Sequence, residues 1–269
     1  MKEGKTFNKR FEKKFLIDSD HLNDLLCSVE SELFVKDHHD ESTCYTTIEN
    51  IYFDDDKLRS FNESILKSPN RKKLRIRSYA QNDKKEKFLF FEIKSKDNGQ
   101  TLKSRIVFME EWLVDFLDDG QLSVDALLKI NKNKIKTLET LESIKYLIHE
   151  QNFKPVLKTS YKRFAFRPKF DSTVRVTVDT ELKFERLRKQ FVTTLAYKKK
   201  INKDQVIVEI KYKDKESLKN ISKFTESLGK PSGFSKYCFG VQSSAQENFV
   251  EERQKLSFLK VAMLKAIQS

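Results

Sequence analysis

The chain has 269 residues, of which 35% are charged and 38% hydrophobic, and its formal net charge is +13. The positive excess favours an anionic partner: a nucleotide, polyphosphate, nucleic acid or an acidic membrane surface. No apolar run approaches the roughly 20 residues that cross a bilayer, and the charged N-terminus lacks the apolar core of a secretion signal. We therefore expect no transmembrane segment, and any membrane association would come from a partner.

Eight segments have strand composition and alternation, and their order predicts a protein rich in β-structure. The fourth and fifth are separated by Asp97-Asn98-Gly99-Gln100, a sequence that favours a hairpin turn. The eight segments lie at about 8–17, 46–54, 72–80, 87–96, 101–109, 156–167, 173–184 and 205–213.

Four other segments have apolar residues at helical spacing. They run from Leu22 to Leu33, Ile135 to Ile148, Leu218 to Phe224 and Phe249 to Ile267. The last predicts a C-terminal helix at about 244–267. We expect all these elements to belong to a single domain over residues 1–269.

The predicted strands separate an apolar face from a charged one. In a strand, residues two apart point to the same face. Val206, Val208 and Ile210 therefore oppose Glu209 and Lys211. The same spacing joins an acid to a base at Glu12/Lys14 and Glu92/Lys94, two bases at Arg75/Arg77 and Lys103/Arg105, and Arg175 to Thr177 and Asp179.

Two interpretations of the charged face are open. In the first, which suits any single strand, the face lies in water while the apolar face covers a core. In the second, eight strands close into a barrel, amphipathic helices cover its apolar outside, and the charged faces line a tunnel. Buried charges are costly unless they are paired or engaged by a ligand. A tunnel lined this way suits a polyphosphate or triphosphate with a metal ion.

A series of motifs runs through most of the chain in a specific order: RFEKKFLI, IYFDD, KLRIRSY, FFEIKSK, KSR, PVLKTSYKRFAF, VRVTVD, VIVEIKY and GFSKY. In this order they resemble the catalytic polyphosphate polymerase domain of the vacuolar transporter chaperone complex and its bacterial single-domain relatives. These proteins belong to the triphosphate tunnel metalloenzymes. The resemblance implies an α+β fold: an eight-stranded antiparallel β-barrel tunnel with amphipathic helices packed outside.

The resemblance also implies roles for individual residues. Glu209 would bind the divalent ion, Mn²⁺ or Mg²⁺, with Glu12 as a second candidate. Lys211 is added to the phosphate-binding residues because it shares the face of Glu209. The implied catalytic cations are Arg75, Arg77, Lys94, Arg163 and Arg175, and the implied further phosphate-binding residues are Lys14, Lys103, Ser235 and Lys236.

One position departs from the wider superfamily, which begins with a Glu-x-Glu-x-Lys motif. Here the first acid is replaced by Arg10, followed by Glu12 and Lys14. The replacement removes a metal carboxylate and adds a cation, which argues against a plain triphosphatase or a class IV adenylate cyclase. Tyr161 and Arg105 lie in matching motifs without an assigned role.

The expected reaction transfers the γ-phosphate of ATP to a growing polyphosphate chain and releases ADP. The terminal phosphate oxygen that attacks is already ionised, so positioning and charge neutralisation suffice and no strong base is needed. The four histidines lie outside the strand motifs, which argues against a phosphohistidine intermediate. They are His21, His38, His39 and His149.

Two alternatives remain open beside the polymerase. The same tunnel could serve a metal-dependent tripolyphosphatase or nucleoside triphosphatase, or a non-catalytic polyphosphate-binding module. We expect ATP and polyphosphate as ligands and no specific nucleic acid, because the aromatic residues mostly fall on apolar faces. The three cysteines, Cys27, Cys44 and Cys238, show no metal-ligand spacing, and a reducing cytoplasm is the simplest location. A membrane-protein partner and the oligomeric state are left open.

Overall fold

The computed structural model describes residues 11–29, 34–36, 45–79, 88–98, 100–171, 173–187 and 205–243. The strands are β1 (Phe11–Asp18), β2 (Phe34–Lys36), β3 (Thr46–Asp54), β4 (Arg71–Tyr79), β5 (Phe88–Asp97), β6 (Gln100–Met109), β7 (Lys154–Pro168), β8 (Arg175–Arg186) and β9 (Gln205–Tyr212). The helices are α1 (Leu22–Val29), α2 (Arg59–Ile65), α3 (Leu113–Asp119), α4 (Val124–Ile130), α5 (Lys134–Lys145), α6 (Lys215–Lys219), α7 (Ser222–Ser227) and α8 (Lys236–Ser243).

The chain divides into two compact units. The first takes its described residues from 1–47, 161–182 and 201–234, and the second from 48–160, 183–200 and 235–269. Strands β7 and β8 contribute residues to both. The single domain over 1–269 stays a prediction, and the helix predicted at 244–267 lies outside the described residues.

In the first unit, the hydrogen-bonded order of the strands is β1-β9-β8-β7, with β2 beside β7. The apolar face of this sheet is formed by alternate residues such as Phe15, Val176 and Val208, each at most 1% exposed. Ile221 and Leu228, from the region of α6 and α7, pack against it. The strand alternation seen in the sequence therefore determines which face is covered by helices.

In the second unit, the strand order is β7-β3-β4-β5-β6. Its apolar face includes Leu74, Phe91 and Phe108, which pack with residues of α3, α4 and α5 such as Phe116 and Ile144. Helices α4 and α5 begin at side-chain caps, in which Ser123 accepts a hydrogen bond from the backbone N–H of Ala126 and Asn133 accepts one from that of Lys136. The opposite face of β4, β5 and β6 is left to the polar and charged residues.

The α+β class, with an antiparallel sheet and helices on its apolar face, is confirmed. All eight predicted strands are present, and the predicted turn joins β5 to β6, whose last pair is Asp97 and Gln100. Among the described strands, β1 pairs with β9 alone and β6 with β5 alone, so the sheet is not a strictly closed barrel. The short strand β2 and the helices α2, α3, α4 and α8 were not predicted. No helix in the described ranges has the length and apolar character required to cross a membrane.

Candidate functional site

The charged face of β4, β5 and β6 concentrates positive charge. Alternation and register place four cations of β4, two of β5 and two of β6 on this face. Glu92 is the one carboxylate there within the three described strands. The cations are Arg71, Lys73, Arg75, Arg77, Lys94, Lys96, Lys103 and Arg105.

Three lysines of this face lie directly opposite one another. Lys94 pairs in register with Lys73 on one side and Lys103 on the other. Like charges at directly opposed positions repel each other. Glu92 neutralises Lys103, and a polyanion is the class of ligand that would be attracted to the row of three as a whole.

Glu92 organises the cations around it. Its Oε2 accepts a hydrogen bond from Nε of Arg75 at 2.8 Å, and Nη2 of Arg75 lies 2.6 Å away. Its Oε1 lies 2.6 Å from Nζ of Lys103 and 3.8 Å from Nε of Arg105. Burial raises the pKa of Glu92, but the charges of Arg75, Arg77 and Lys103 more than offset it and hold the pKa well below its usual range. Glu92 is therefore a fixed anion that positions three cations.

Neutral side chains fix the same guanidinium groups from other directions. Tyr52 accepts a hydrogen bond from Nη1 of Arg75 at 3.2 Å, and Asn50 accepts one from Nε of Arg77 at 2.8 Å. The guanidinium of Arg105 lies 3.7 Å from the ring centroid of Phe90. These contacts restrict the arginines before any ligand binds.

Ser235 and Lys236, the predicted residues at the start of α8, lie in the same unit. The Ser235 hydroxyl accepts a hydrogen bond from Nζ of Lys73 at 3.2 Å. The sequence prediction did not include Lys73, although it has the same strand parity as Arg75 and Arg77. That parity was the signal that could have identified it.

The first unit has a second cluster, in which acids and bases of neighbouring strands lie side by side. Lys14 of β1 pairs in register with Glu209 of β9, and Glu209 pairs with Thr177 of β8. In the adjacent row, Lys211 stands between Glu12 and Arg175. Glu209 and Lys211 form an ion pair, and Nζ of Lys14 lies 2.7 Å from Oε1 of Glu12. Opposite charges thus neighbour each other along β1 and β9 and between these two strands, whereas Lys211 and Arg175 are like charges on neighbouring strands.

Arg163 is held in this unit by a buried carboxylate. Its Nε and Nη2 donate to the two oxygens of Asp179 at 2.6 and 2.7 Å, a bidentate pair. Burial would lower the pKa of Arg163, but the Asp179 carboxylate and other anionic neighbours raise it well above its ordinary value. The guanidinium therefore stays charged, and only two of its five N–H donors are used by Asp179.

The residues around Glu209 fit a divalent cation of the kind that shares its coordination with phosphates. Glu209 is 7% exposed, and the buried Oγ1 of its register partner Thr177 has no hydrogen-bond partner among the described residues. No group of three or more His, Cys, Asp or Glu residues that could hold a metal occurs in the described part of the chain. Mg²⁺ is commonly bound by one or two carboxylates together with substrate phosphates. The donor set suits that mode better than an all-protein metal cage.

The predicted site residues thus fall into two groups. The first unit brings together Glu12, Lys14, Arg163, Arg175, Glu209 and Lys211, and the second contains Arg75, Arg77, Lys94, Lys103, Ser235 and Lys236. The single tunnel stays a prediction, since these residues divide between the two units. The interpretation that places the whole charged face in water is wrong, because Asp179, Glu92, Glu209 and Arg77 are 0, 2, 7 and 8% exposed.

Three known proteins with sequences similar to this chain are named as subunits of the vacuolar transporter chaperone complex. Vacuolar transporter chaperone complex subunit 4 of Schizosaccharomyces pombe is 26% identical over 144 residues, which is 50% of this chain and 20% of that protein. Subunit 4 of Trypanosoma brucei brucei is 27% identical over 160 residues, 52% of this chain and 20% of that protein. Subunit 2 of Saccharomyces cerevisiae is 26% identical over 150 residues, 51% of this chain and 18% of that protein. The matches therefore span about a fifth of the length of these relatives.

Among solved structures, the PH1819 protein from Pyrococcus Horikoshii OT3 is 18% identical, with a TM-score of 0.46, covering 87% of this chain and 99% of that one. The family model for the VTC domain matches residues 9–245, which is most of the chain and includes every predicted site residue. The chain belongs to the VTC domain family.

Proposed function

We propose that the chain is a metal-dependent phosphotransferase that moves the γ-phosphate of ATP to a growing inorganic polyphosphate chain and releases ADP. The observation that carries the proposal is the charged face of β4, β5 and β6, where eight cations surround the single carboxylate Glu92. The face thus carries seven more cations than carboxylates, which suits a ligand with one negative charge or more per phosphate. Membership of the VTC domain family supports a polyphosphate-related role.

The arginines would act as oriented phosphate ligands. Phosphoryl transfer depends mainly on positioning and on neutralising charge on the transferred group. Arg75 is fixed by Glu92 and Tyr52, and Arg163 is fixed by Asp179, so neither needs to reorganise when a phosphate arrives. The lysines Lys14, Lys94 and Lys103 would supply point charges along the bound chain.

Glu209 would hold the divalent ion, Mn²⁺ or Mg²⁺, with Glu12 as the second candidate. When bound, such an ion neutralises phosphate oxygens and stabilises the charge that develops during transfer. Lys211 forms an ion pair with one oxygen of Glu209, so a bound ion would share this carboxylate with Lys211 or displace it. A displaced ammonium group would be available to a phosphate.

Polymer synthesis is favoured over hydrolysis by the balance of charge. A triphosphatase needs to hold three phosphates and a water, whereas a polymerase must hold a long anion and keep it in place between transfers. The eight-cation face and the conversion of the first motif acid to Arg10 both favour retention of a long anion. We also propose that the chain acts in the cytoplasm and works with a membrane-protein partner, since its relatives are named as subunits of a transporter chaperone complex.

The direct test is to incubate the purified chain with ATP and Mn²⁺ and to assay long-chain polyphosphate and free phosphate separately. The matched control is the same reaction with a chelator in place of Mn²⁺. We expect polymer and ADP in equal phosphate equivalents and little free phosphate. Release of free phosphate without polymer would establish hydrolysis instead, and tight polyphosphate binding with neither product would establish a binding module.

A further inference from the structure

Asp54, at the end of β3, is a buried carboxylate with an unusually complete set of hydrogen bonds. It is 0% exposed. Its Oδ1 accepts from the backbone N–H groups of Asp55 and Ser60 at 3.0 and 2.9 Å, and its Oδ2 accepts from that of Phe61 at 3.0 Å. The hydroxyl of Tyr237 donates to the same Oδ2. Asp54 therefore joins the end of β3 and the start of α2 to the first turn of α8.

Tyr237 is held on its other sides by packing. It is 1% exposed, and its ring stacks on Tyr52 with centroids 5.1 Å apart and planes 29° apart. One turn further along α8, a Cβ at Gly240 would lie 2.5 Å from the ring of Phe184 and 2.6 Å from the side chain of Leu157. Helix α8 therefore packs closely against its neighbours, and this packing restricts the position of Tyr237.

Two cations rest on this aromatic pair. Nζ of Lys73 lies 5.7 Å from the ring centroid of Tyr237 and 3.2 Å from the hydroxyl of Ser235. The guanidinium of Arg75 lies 5.9 Å from the ring centroid of Tyr52 and donates to its hydroxyl. The stacked pair of Tyr52 and Tyr237 is thus held at one end by the hydrogen bond from Tyr237 to Asp54, and each ring has a cation next to it.

We propose that Asp54 is a positioning residue which, through Tyr237 and Tyr52, sets Lys73 and Arg75 for contact with ligand phosphates, and that Lys73 is a further phosphate-binding residue. This assignment rests on the proposed function. Fixing a long side chain before binding reduces the conformational entropy lost when the ligand arrives. Lys73 and Arg75 have long, flexible side chains, which lose the most conformational entropy when they are fixed, so fixing them before binding has its largest effect here.

The test is a double-mutant cycle read by calorimetric binding of tripolyphosphate. Tyr237→Phe removes the hydroxyl that Asp54 accepts from and keeps the stacked ring. Lys73→Met removes the ammonium and keeps most of the stem. Because Tyr237 would lose the hydrogen bond that fixes its position beside Lys73, we expect Tyr237→Phe to weaken tripolyphosphate binding by about tenfold. The matched control is Tyr146→Phe, at an exposed tyrosine whose hydroxyl accepts a hydrogen bond from Gln151, and it should bind as wild type does.

The two changes should not be independent if one acts through the other. In the Lys73→Met background, Tyr237→Phe should weaken binding by much less than it does alone. Fold-changes that multiply, or a Tyr237→Phe variant that binds like wild type, would overturn the positioning role. If Tyr237→Phe fails to fold, Asp54→Asn takes its place in the same cycle. Wild-type protein that binds no tripolyphosphate would refute the proposed function itself, and the positioning role with it.

Discussion

Glu92 and Arg75 form a two-point ion pair on the charged face, with the carboxylate Oε2 lying 2.8 Å from Nε and 2.6 Å from Nη2 of the guanidinium. Glu92 is 2% exposed, whereas the Arg75 side chain keeps 25% of its surface accessible. The anion is thus the buried partner and the cation the accessible one. This asymmetry lets the pair orient a cation toward a ligand without presenting a repulsive charge to it.

Replacing Glu92 by Gln should destabilise the fold. The substitution leaves Arg75 and Lys103 without their counter-charge, and losing one member of a buried ion pair costs about 3 kcal/mol. Denaturant unfolding measures the change. Glu49→Gln is the control, because Glu49 pairs with Lys158 on an accessible part of the surface and should cost less than about 1 kcal/mol. Equal effects in the two variants would contradict the organising role of Glu92.

The lowered pKa of Glu92 predicts part of the decrease in the free energy of unfolding at acid pH. Because the pKa of Glu92 is lowered in the folded state, its stabilising effect is present above pH 4.5 and is lost as the pH falls below that value. The free energy of unfolding of wild type should therefore decrease more steeply below pH 4.5 than that of Glu92→Gln. Parallel pH dependences in the two proteins would show that Glu92 has an ordinary pKa.

Asp54 should have the opposite pH dependence. Burial raises the pKa of Asp54 from 3.8 to about 6, although hydrogen bonds from Tyr237, Ser60 and Phe61 partly oppose the shift. A raised pKa means that the folded state binds the proton more tightly, so this contribution is full below pH 3.8 and is lost as the pH rises through about 6. At about 1.4 kcal/mol per pKa unit, the loss is about 3 kcal/mol. Asp54→Asn should remove this dependence between pH 4 and 7, measured by unfolding at a series of pH values.

Removing two arginines from β4 should weaken polyanion binding strongly. Arg75→Ala/Arg77→Ala takes two fixed guanidinium groups from the eight-cation face. We expect tripolyphosphate affinity to fall at least a hundredfold, at about 1.5–3 kcal/mol for each charged contact, and the remaining binding to depend less on salt. Calorimetry at two salt concentrations measures both effects. The control is Lys129→Ala/Lys132→Ala, which changes the net charge by the same amount at exposed positions. If this control loses as much affinity for tripolyphosphate as the arginine variant, net charge alone explains the loss.

Glu209→Gln should separate catalysis from binding. The change keeps the side-chain volume and removes the charge proposed to hold the metal ion. Metal-dependent transfer from ATP should be lost, while polyphosphate binding should survive or tighten because one repulsive charge is gone. Polymer formed from ATP and Mn²⁺ and equilibrium binding of a short polyphosphate are measured on the same preparation. Glu216→Gln, at an exposed position of α6, is the control, and wild-type polymerisation by Glu209→Gln would refute the metal assignment.

The roles of the site residues stay predictions, whereas the alternation in the sequence correctly predicted eight of the nine described strands and their apolar and charged faces. This was possible because strand alternation is a local property with a period of two, readable from one segment at a time. Glu209 and Lys211 share a face in the structure for the same reason that they share parity in the sequence. The short strand β2 escaped prediction because three residues are too few to establish a period.

The burial of each charge and the partner that it takes follow from the tertiary structure. In the sequence, Asp179 shares a strand face with Arg175, yet in the structure it pairs with Arg163. Asp54 and Asp55 are adjacent acids in the sequence, and only Asp54 accepts a hydrogen bond from Tyr237. These partners lie 16 and 183 positions apart in the chain, and no local pattern relates them. Pairing over such separations depends on strand register and helix packing, which set the distance between side chains and the exclusion of water from them.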